Sequence, residues 1–315
     1  MNGRLLEKVK KGIISICGGK NVLTDEPMSS HTTFMTGGKA AIFVSPESEE
    51  ELISLICLCS DSGVDFCVIG KGSNLLVSDE GFDGVIICLH RSFGSIRKLE
   101  DDLIEADAGA MLSVLALFAA ENCLSGLEFA SGIPGTVGGA VNINAGAYGG
   151  EISDVFESCR YIVRNDEGKY ILKTATKEEA GLEYRNSFFK KNGAIIISAR
   201  FRLKKENDSE DIYSLMKELA QKRINKQPLN YPSAGSAFKR PQNGYAAALI
   251  EECGLKGLTV GGAQVSEKHS GFIINIGGAT STDVYRLIKT VQKEVLAQKG
   301  IMLEPEICFI GTMPE

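Results

Sequence analysis

Residues 131–150 read SGIPGTVGGAVNINAGAYGG, and this stretch decides how the rest of the sequence is interpreted. It contains seven glycines and no charged residue. Glycine loses more backbone entropy on folding than any other residue, so its repeated use indicates positive φ angles or a closely approaching backbone. Successive exposed N–H groups then form a concave anion site. The stretch predicts a loop around a phosphorylated ligand. The alternative is a set of tight turns or a flexible linker. Against a linker, the glycines are interrupted by Val137, Val141, Ile143 and Tyr148, which Gly/Ser linkers lack.

A second glycine-rich turn, GKGSN at residues 70–74, directly follows an apolar segment at residues 65–69. A strand followed by a glycine turn is the setting of many phosphate loops. However, no helix opens with GK[ST] here, and no third glycine completes GxGxxG. The turn is therefore neither a Walker loop nor a good Rossmann fingerprint.

Composition excludes several functional classes. The chain has 315 residues, which is typical of two or three domains, and a formal net charge of -6, which does not favour a nucleic-acid partner. No apolar run has membrane-spanning length, and the N-terminus predicts an amphipathic helix rather than a signal peptide.

The nine cysteines form no CxxC, and the three histidines are scattered, so we expect no metal site. Cysteines in apolar runs are typical of a reducing cytosol, so we expect a cytoplasmic protein without membrane insertion.

Hydrophobic periodicity indicates an α+β chain. Ser48 and Glu51 form a predicted capping box, and residues 112–120 predict an apolar helix. A last helix at residues 283–298 is closed by Gly300, and a final strand is expected at residues 306–310. A strand and turn are expected at residues 34–38, and a polar hinge at residues 204–210. Asp79, Glu80 and Asp83 are interpreted as solvated turn acids rather than as a calcium site.

From about Val22 to Gly311 the chain resembles the UDP-N-acetylenolpyruvoylglucosamine reductases, also called UDP-N-acetylmuramate dehydrogenases. The glycine loops alone are shared with other flavoproteins of the vanillyl-alcohol-oxidase type, whereas the motifs together, in this order, are highly specific. The motifs are HTTF at 31–34 with Gly37 and Gly38, GKGSNLLVSD at 70–79, GIPGTVGGA at 132–140, NAGAYGG at 144–150, YRNS at 184–187, SAGSAFK at 233–239, GAQVSEKH at 262–269 and LEPE at 303–306.

The resemblance implies a two-part FAD-binding region of the vanillyl-alcohol-oxidase (PCMH) type and a third α+β substrate domain. The implied segments are residues 1–88 and 89–204 for FAD, 205–302 for substrate, and 303–315 as a strand returning to the FAD-binding region. The short distance from Ser236 to Glu306 resembles the compact class of the family.

The resemblance also implies the activity. NADPH reduces noncovalently bound FAD, and the reduced flavin then reduces the enolpyruvyl group of UDP-N-acetylglucosamine enolpyruvate to a lactyl ether. The product, UDP-N-acetylmuramate, serves peptidoglycan synthesis and hence cell wall biogenesis, cell shape and cell division. We expect a monomer. The alternative is another FAD-dependent oxidoreductase of the same fold with a different substrate; a noncatalytic flavin-binding module would not need the three catalytic positions.

Hydride transfer to the enol ether pushes charge toward the substrate carboxylate and leaves a neighbouring carbon to be protonated. The resemblance assigns catalysis to Arg185, Ser236 and Glu306. Arg185 suits a carboxylate because guanidinium offers paired donors, Ser236 matches the family's proton donor, and Glu306 its catalytic acid. Without the resemblance, Arg185 would be interpreted as a surface ion-pair residue and Ser236 as a turn serine. Glu304 is the obvious rival of Glu306.

Further binding residues are expected from the same motifs. His269 is interpreted as structural rather than as an acid–base catalyst. Tyr184, Lys239, Lys268 and Asn275 are expected to contact the UDP-sugar. The flavin diphosphate is expected to be held by Gly70, Lys71, Gly72, Ser73, Asn74, Leu75, Ser131, Gly132, Ile133, Pro134, Gly135, Thr136, Gly138, Gly139 and Ala140.

Two positions depart from the family pattern. Cys308 stands where the family usually has Arg, and Arg240 where it usually has Asn. The first change removes a positive charge near Glu306 in sequence. Neither change affects the three catalytic positions, so the two departures put the fine adjustment of the site in doubt rather than the activity itself.

Overall fold

The structure, a computed structural model, describes residues 3–314. The chain folds into two compact units that alternate along the sequence. The domains expected from the sequence are continuous segments, and their boundaries stay a prediction. The first unit comprises the described part of Met1–Leu23 with Ile42–Lys71 and Gly84–Lys222, and the second comprises Thr24–Ala41, Gly72–Asp83 and the described part of Arg223–Glu315.

The chain mixes helices and strands and contains runs of successive strands, in agreement with the α+β prediction. The helices are α1 Gly3–Cys17, α2 Glu49–Asp61, α3 Leu112–Glu121, α4 Val137–Asn142, α5 Ile152–Val155, α6 Lys177–Ala180, α7 Phe188–Lys191, α8 Glu210–Lys226, α9 Ala246–Glu252 and α10 Ser281–Lys299. The strands are β1 Val22–Pro27, β2 Lys39–Val44, β3 Phe66–Ile69, β4 Leu75–Val77, β5 Phe82–Cys88, β6 Ile96–Lys98, β7 Leu103–Asp107, β8 Leu124–Ser125, β9 Gly146–Ala147, β10 Gly150–Glu151, β11 Phe156–Arg164, β12 Tyr170–Thr176, β13 Ile195–Arg202, β14 Lys204–Lys205, β15 Ser233–Ser236, β16 Thr259–Val260, β17 Ala263–Val265, β18 Phe272–Asn275 and β19 Cys308–Ile310.

The first unit is built on a five-stranded antiparallel sheet in the order β12-β11-β13-β7-β6. In its register Cys159 lies opposite both Ala175 and Ala199, and these three small side chains are buried. β3 pairs in parallel with β5 from Phe66 opposite Val85 onward. Leu112 and other apolar residues of α3 belong to the same core.

A buried ion pair fixes one end of this sheet. Glu105 on β7 is only 3% exposed and lies between Arg97 on β6 and Arg200 on β13. Its carboxylate accepts from Arg200 Nε at 2.6 Å and also contacts Arg97. A buried carboxylate is costly unless it is paired, so two arginines on the flanking strands secure the register here.

The second unit is an antiparallel sheet, in the order β15-β18-β17-β16, packed against α10. The apolar face predicted for the last helix is confirmed, and its side chains are fully buried. Gly300 ends the helix with φ 69°, as predicted. The final strand β19 pairs in parallel with β4. The buried helix face consists of Val284, Leu287, Ile288, Val291 and Val295.

Two local predictions are corrected. The strand expected at residues 34–38 is absent from the described chain, because Met35 and Gly37 have φ angles of 57° and 122°, outside the β region. The stretch 131–150 is not all loop, since α4 opens within it. Helical hydrogen bonding overrides the poor helix propensity of its two glycines, Gly138 and Gly139.

The cysteines behave as small hydrophobic residues. None of the nine forms a disulfide in the described chain. Burial raises the pKa of the Cys59 and Cys159 thiols to about 12, so they stay protonated. Among residues 3–314 no helix combines the length and apolar character needed to cross a membrane.

Candidate functional site

The two glycine-rich segments meet within the first unit. A Cβ atom added to Gly70 would lie 2.3 Å from Thr136 Oγ1. Thr136 is buried and is the N-cap of α4, so it stands where the second segment becomes helical. The close approach requires glycine at position 70, and it places the start of the first predicted loop against the middle of the second.

Much of the second segment's backbone is already hydrogen-bonded within the chain. The amides of Val137 and Gly138 donate to the carbonyls of Ala110 and Ala108 at 2.9 and 2.8 Å. Amides that likewise donate to carbonyls of the chain are those of Ser131, Ile133, Gly135 and Ala140. Among residues 131–140, all of which the structure describes, this leaves the N–H groups of Gly132, Thr136 and Gly139 for an anion; Pro134 has none.

Gly138 and Gly139 face different surroundings. A Cβ on Gly138 would lie 2.9 Å from the Cβ of Ala108, so this glycine serves close packing inside the chain. A Cβ on Gly139 would meet only Thr136 Oγ1 within 4 Å, at an ordinary distance of 3.6 Å. Gly139 therefore borders open space, and it does so at the N-terminal turn of a helix, where amide groups point outward.

That space is a cavity of about 420 Å³ in the first unit. Its volume lies in the usual range for small-molecule sites. Lys190 is the one charged side chain among the described lining residues. The walls come from β3, α4, α7 and the start of β13 together with Gly70: Phe66, Cys67, Val68, Ile69, Gly70, Leu89, Ala108, Thr136, Gly138, Gly139, Asn142, Phe189, Lys190, Gly193, Ala194, Ile195 and Ile196.

Residues 72–74 of the first glycine segment belong to the second unit. The amide of Thr33 donates to the carbonyl of Gly72 at 3.2 Å, and a Cβ on Gly72 would lie 1.9 Å from the carbonyl oxygen of His31. Asn74 uses its side-chain amide to bind the Glu306 carbonyl at 3.1 Å. Residues 72–74 are thus fixed by the HTTF motif and by the Glu306 backbone, and Ser73 is half-buried; Lys71, which belongs to the first unit, is exposed.

Ser236 and Glu306 lie on neighbouring segments of the second unit. The Glu306 amide donates to the carbonyl of Ala237, the residue after Ser236, at 2.9 Å. Ser236 is exposed and follows Gly235, whose φ of 77° accompanies an irregularity in the β15 pairing. The structure therefore brings together two of the three predicted catalytic residues by backbone pairing.

The third, Arg185, lies in the first unit in a left-handed conformation with φ 54°. Its guanidinium donates to the carbonyls of Asn144 at 3.5 Å and Gly146 at 3.4 Å, and it stacks on the ring of Tyr184 at 5.2 Å. A non-glycine residue in this conformation is uncommon and is frequently held so at functional sites.

The remaining predicted substrate-binding residues differ in how far their side chains are already engaged by other groups of the chain. Lys239 pairs with Glu304, and Lys268 Nζ donates to the Ile224 carbonyl at 2.6 Å. Asn275 is buried; its amide donates to the Phe34 carbonyl and its oxygen accepts from the Gly277 and Ala279 amides, so backbone groups already engage the side chain. Tyr184 is exposed.

Burial lowers the pKa of His269, whose Nδ1 accepts from the Gly271 amide at 3.1 Å. Both features match the structural interpretation of this histidine. No group of three or more potential metal ligands occurs among residues 3–314.

Two residues near the site were missed by sequence reasoning. Asn144 is fully buried with φ 45°, and its Oδ1 accepts from the Ser153 amide. Lys190 lines the cavity and binds the Arg185 carbonyl at 3.2 Å. The one sequence signal for Lys190 was its spacing from Arg185 in YRNSFFK. That signal is weak, because a lysine in a short helix is usually solvated.

Comparison with known proteins defines the class first. Residues 40–170 match the family described as FAD binding domain. p-Cresol methylhydroxylase has the same fold at a TM-score of 0.50 and 14% identity, over 97% of this chain and 66% of that one. The protein is an FAD-dependent oxidoreductase with a fold of the vanillyl-alcohol-oxidase (PCMH) type.

The particular family follows from stronger similarity. Residues 227–310 match the family described as UDP-N-acetylenolpyruvoylglucosamine reductase, C-terminal domain. The enzyme of that name from Agathobacter rectalis is 48% identical over 92% of this chain and 94% of its own length. The crystal structure of UDP-N-acetylenolpyruvylglucosamine reductase from Thermus caldophilus aligns at a TM-score of 0.75 and 34% identity, over 92% of this chain and 98% of that one. The chain belongs to the UDP-N-acetylenolpyruvoylglucosamine reductase family.

The cavity of the first unit suits the cofactor of this class. Glycine walls admit a close-fitting ligand, and the N–H groups of Thr136 and Gly139 at the start of α4 suit an anion. The cation of Lys190 adds charge complementary to a diphosphate. The residues present therefore fit FAD.

Proposed function

We propose that Arg185, Ser236 and Glu306 carry the chemistry of this reductase. As a member of its family the chain reduces the enolpyruvyl group of UDP-N-acetylglucosamine enolpyruvate to the lactyl ether of UDP-N-acetylmuramate, for peptidoglycan synthesis. Bound FAD would supply the redox chemistry, the transfer of hydride from NADPH to the enol ether. The protein must then stabilise charge on the substrate carboxylate and supply a proton.

Arg185 takes the first task. Its N–H groups donate to the carbonyl oxygens of Asn144 and Gly146, and its guanidinium lies over the Tyr184 ring. A substrate carboxylate accepts hydrogen bonds from a guanidinium more strongly than a neutral carbonyl does. The left-handed backbone holds the side chain before substrate arrives, which lowers the reorganisation needed in the transition state.

Ser236 and Glu306 take the second task. The observation that carries this proposal is the hydrogen bond from the Glu306 amide to the Ala237 carbonyl, which fixes the acid beside the residue that follows the serine. Ser236 is exposed and able to reach substrate, and we assign its hydroxyl as the proton donor. Glu306 then hydrogen-bonds the substrate or returns the proton to the serine.

For the cofactor we propose the set expected from the resemblance, at residues 70–75, 131–136 and 138–140. The N–H groups of Gly132, Thr136 and Gly139 are proposed as direct donors to phosphate, and the others as packing residues that shape the loops. Lys239, Lys268 and Tyr184 are proposed to contact the UDP-sugar. For Asn275 we propose an indirect part, through the turn at Gly277 that its side chain holds.

We further propose a cytoplasmic monomer. Nine cysteines without a disulfide in the described chain support a reducing compartment. Size-exclusion chromatography with light scattering tests the oligomeric state, and a mass near 33.8 kDa is expected.

The purified protein tests the whole proposal. We expect yellow protein whose flavin bands bleach with NADPH and return when the enolpyruvyl substrate is added without oxygen. Acid precipitation should release the colour into the supernatant. Recovery of the bands only with oxygen would favour the alternative, an oxidoreductase of the same fold with another substrate, and colour in the pellet would contradict noncovalent binding.

A further inference from the structure

Lys190 faces two parts of the proposed site at once. It is one of the residues that line the glycine-walled cavity, and its Nζ donates to the carbonyl of Arg185 at 3.2 Å. A single residue therefore borders the cavity and holds the backbone of Arg185.

The position of Lys190 is set by the buried start of α7. Its amide donates to Ser187 Oγ at 3.1 Å, and that hydroxyl donates to the Asn142 carbonyl at 2.7 Å. Ser187 and Phe189 are fully buried, so the segment that leads into the lysine is firmly placed. Asn142 also lines the cavity, which ties α7 to the wall formed by α4.

The ammonium group is incompletely neutralised. Within the described chain, no carboxylate lies within ion-pair distance of Lys190, and its hydrogen-bond acceptor is a neutral carbonyl. An ammonium group carries three donors. One can hold the Arg185 carbonyl while another binds an anionic group in the cavity, whose lining includes no acidic residue among those described.

Arg185 needs such support. Its left-handed backbone costs free energy and persists only where surrounding contacts hold it. The guanidinium contacts to Asn144 and Gly146 are long, at 3.5 and 3.4 Å, and the hydrogen bond from Lys190 to the Arg185 carbonyl is shorter, at 3.2 Å.

We propose that Lys190 is a positioning residue that binds a phosphate of FAD and at the same time holds the backbone of Arg185 for substrate. This inference rests on the proposed role of Arg185. It makes cofactor loading a requirement for a correctly placed arginine, so an empty cavity would leave both groups less ordered.

The first test measures binding without turnover. The full-length chain, freed of flavin, is titrated calorimetrically with ADP and with adenosine. Lys190→Met should weaken ADP binding by roughly 10- to 100-fold, the scale of a hydrogen bond to a charged group, and leave adenosine unchanged. Lys190→Arg should restore most of the ADP affinity, and wild-type ADP affinity in Lys190→Met would overturn the phosphate contact.

Lys191→Met is the matched control, because Lys191 is the adjacent residue, is exposed and pairs with Glu183 outside the cavity lining. It should bind ADP as the wild type does. Equal losses in Lys190→Met and Lys191→Met would show a general charge effect and would overturn the proposal.

The second test asks whether Lys190 acts through Arg185. With FAD saturating, Lys190→Met should slow reoxidation of reduced flavin by substrate on the order of tenfold through misplacement of the arginine. In an Arg185→Ala background the same change should add nothing. Equal slowing in both backgrounds would overturn the positioning role. If Arg185→Ala alone were harmless, the proposed function of the arginine would fail, and the positioning role with it, whereas the ADP result would stand.

Discussion

The regions around Arg185 and around Ser236 and Glu306 hold their side chains by different means. Arg185 is placed by long contacts to carbonyls, by a tyrosine ring and by a lysine, on a left-handed backbone. Ser236 and Glu306 are placed by strand-like backbone pairing at Ala237 and by the Asn74 amide.

This difference has a mechanistic consequence. Arg185 depends in part on the side chains of Tyr184 and Lys190, so replacing either neighbour should disturb it. The segments of Ser236 and Glu306 are held mainly by backbone pairing, so these residues should be sensitive mainly to their own replacement. We therefore expect clean chemical effects in the second unit and effects shared among neighbours in the first.

The largest effect is expected at Ser236. Ser236→Ala should bind FAD and accept hydride from NADPH at close to the wild-type rate. Reoxidation by the enolpyruvyl substrate should slow by on the order of 10²–10⁴-fold, because only this half-reaction needs a proton delivered to carbon. Stopped-flow absorbance separates the two halves.

Two companion results sharpen that prediction. Ser236→Cys keeps a proton donor of similar size and should recover part of the lost rate. Ser236 is exposed, so the melting temperature should hardly change. Normal reoxidation in Ser236→Ala would remove the serine from the mechanism and leave water or Glu306 as the acid.

A smaller loss is expected at Arg185. Arg185→Ala should reduce kcat and kcat/KM together by on the order of 10²-fold, the effect of removing one donor from an oxyanion-type site. Flavin reduction by NADPH serves as the internal control and should be almost unaffected. Loss of substrate affinity with unchanged kcat would assign the arginine to ground-state binding instead.

The glycine pair of α4 tests the cofactor cavity. Gly139→Val should fold normally and purify with little FAD, because its side chain enters open space beside Thr136. Gly138→Val should instead lower the melting temperature, since its Cβ meets Ala108 inside the chain. Flavin content by absorbance and a thermal melt give the two readouts, and full FAD content in Gly139→Val would contradict the proposed cavity.

The same pair shows what sequence could predict. The glycine motifs predicted a phosphorylated ligand, the family resemblance implied FAD, and periodicity predicted α3 and the buried face of α10. That Gly138 packs on Ala108 depends on a contact between residues distant in sequence, which no local pattern reveals. The amides of the second loop are largely engaged by the chain for the same reason.

At the candidate site, family motifs suggested residues but not their conformations. Arg185 and Glu306 were proposed from those motifs and stay predictions, whereas the left-handed backbone of Arg185 and the lysine that holds its carbonyl depend on tertiary contacts. Asp79 shows the same limit. It was interpreted as a solvated turn acid, but its carboxylate accepts from the Ser281 and Thr282 amides at 2.8 Å each.

Replacing Asp79, and so removing this contact with α10, should moderately lower stability. Asp79→Ala should lower the free energy of unfolding by about 0.5–2 kcal/mol, since it removes a capping carboxylate from the first turn of α10. Asp79→Asn keeps an acceptor and should recover part of the loss. Urea denaturation measures both; an unchanged midpoint in Asp79→Ala would mean that Thr280 caps the helix sufficiently alone.

The smallest effect is expected at Glu304, the rival of Glu306. Glu304 is exposed and its carboxylate pairs with Lys239, a surface ion pair of the kind that contributes roughly 0–1 kcal/mol. Glu304→Gln should therefore change turnover by less than about fivefold if the pair has no catalytic part. Glu306→Gln, two residues away on the segment paired with Ala237, should lose turnover by on the order of 10²-fold in the same assay. Because the two changes are chemically identical, the reverse order of effects would move the catalytic acid to Glu304 and leave Glu306 as a residue that only secures the backbone beside Ser236.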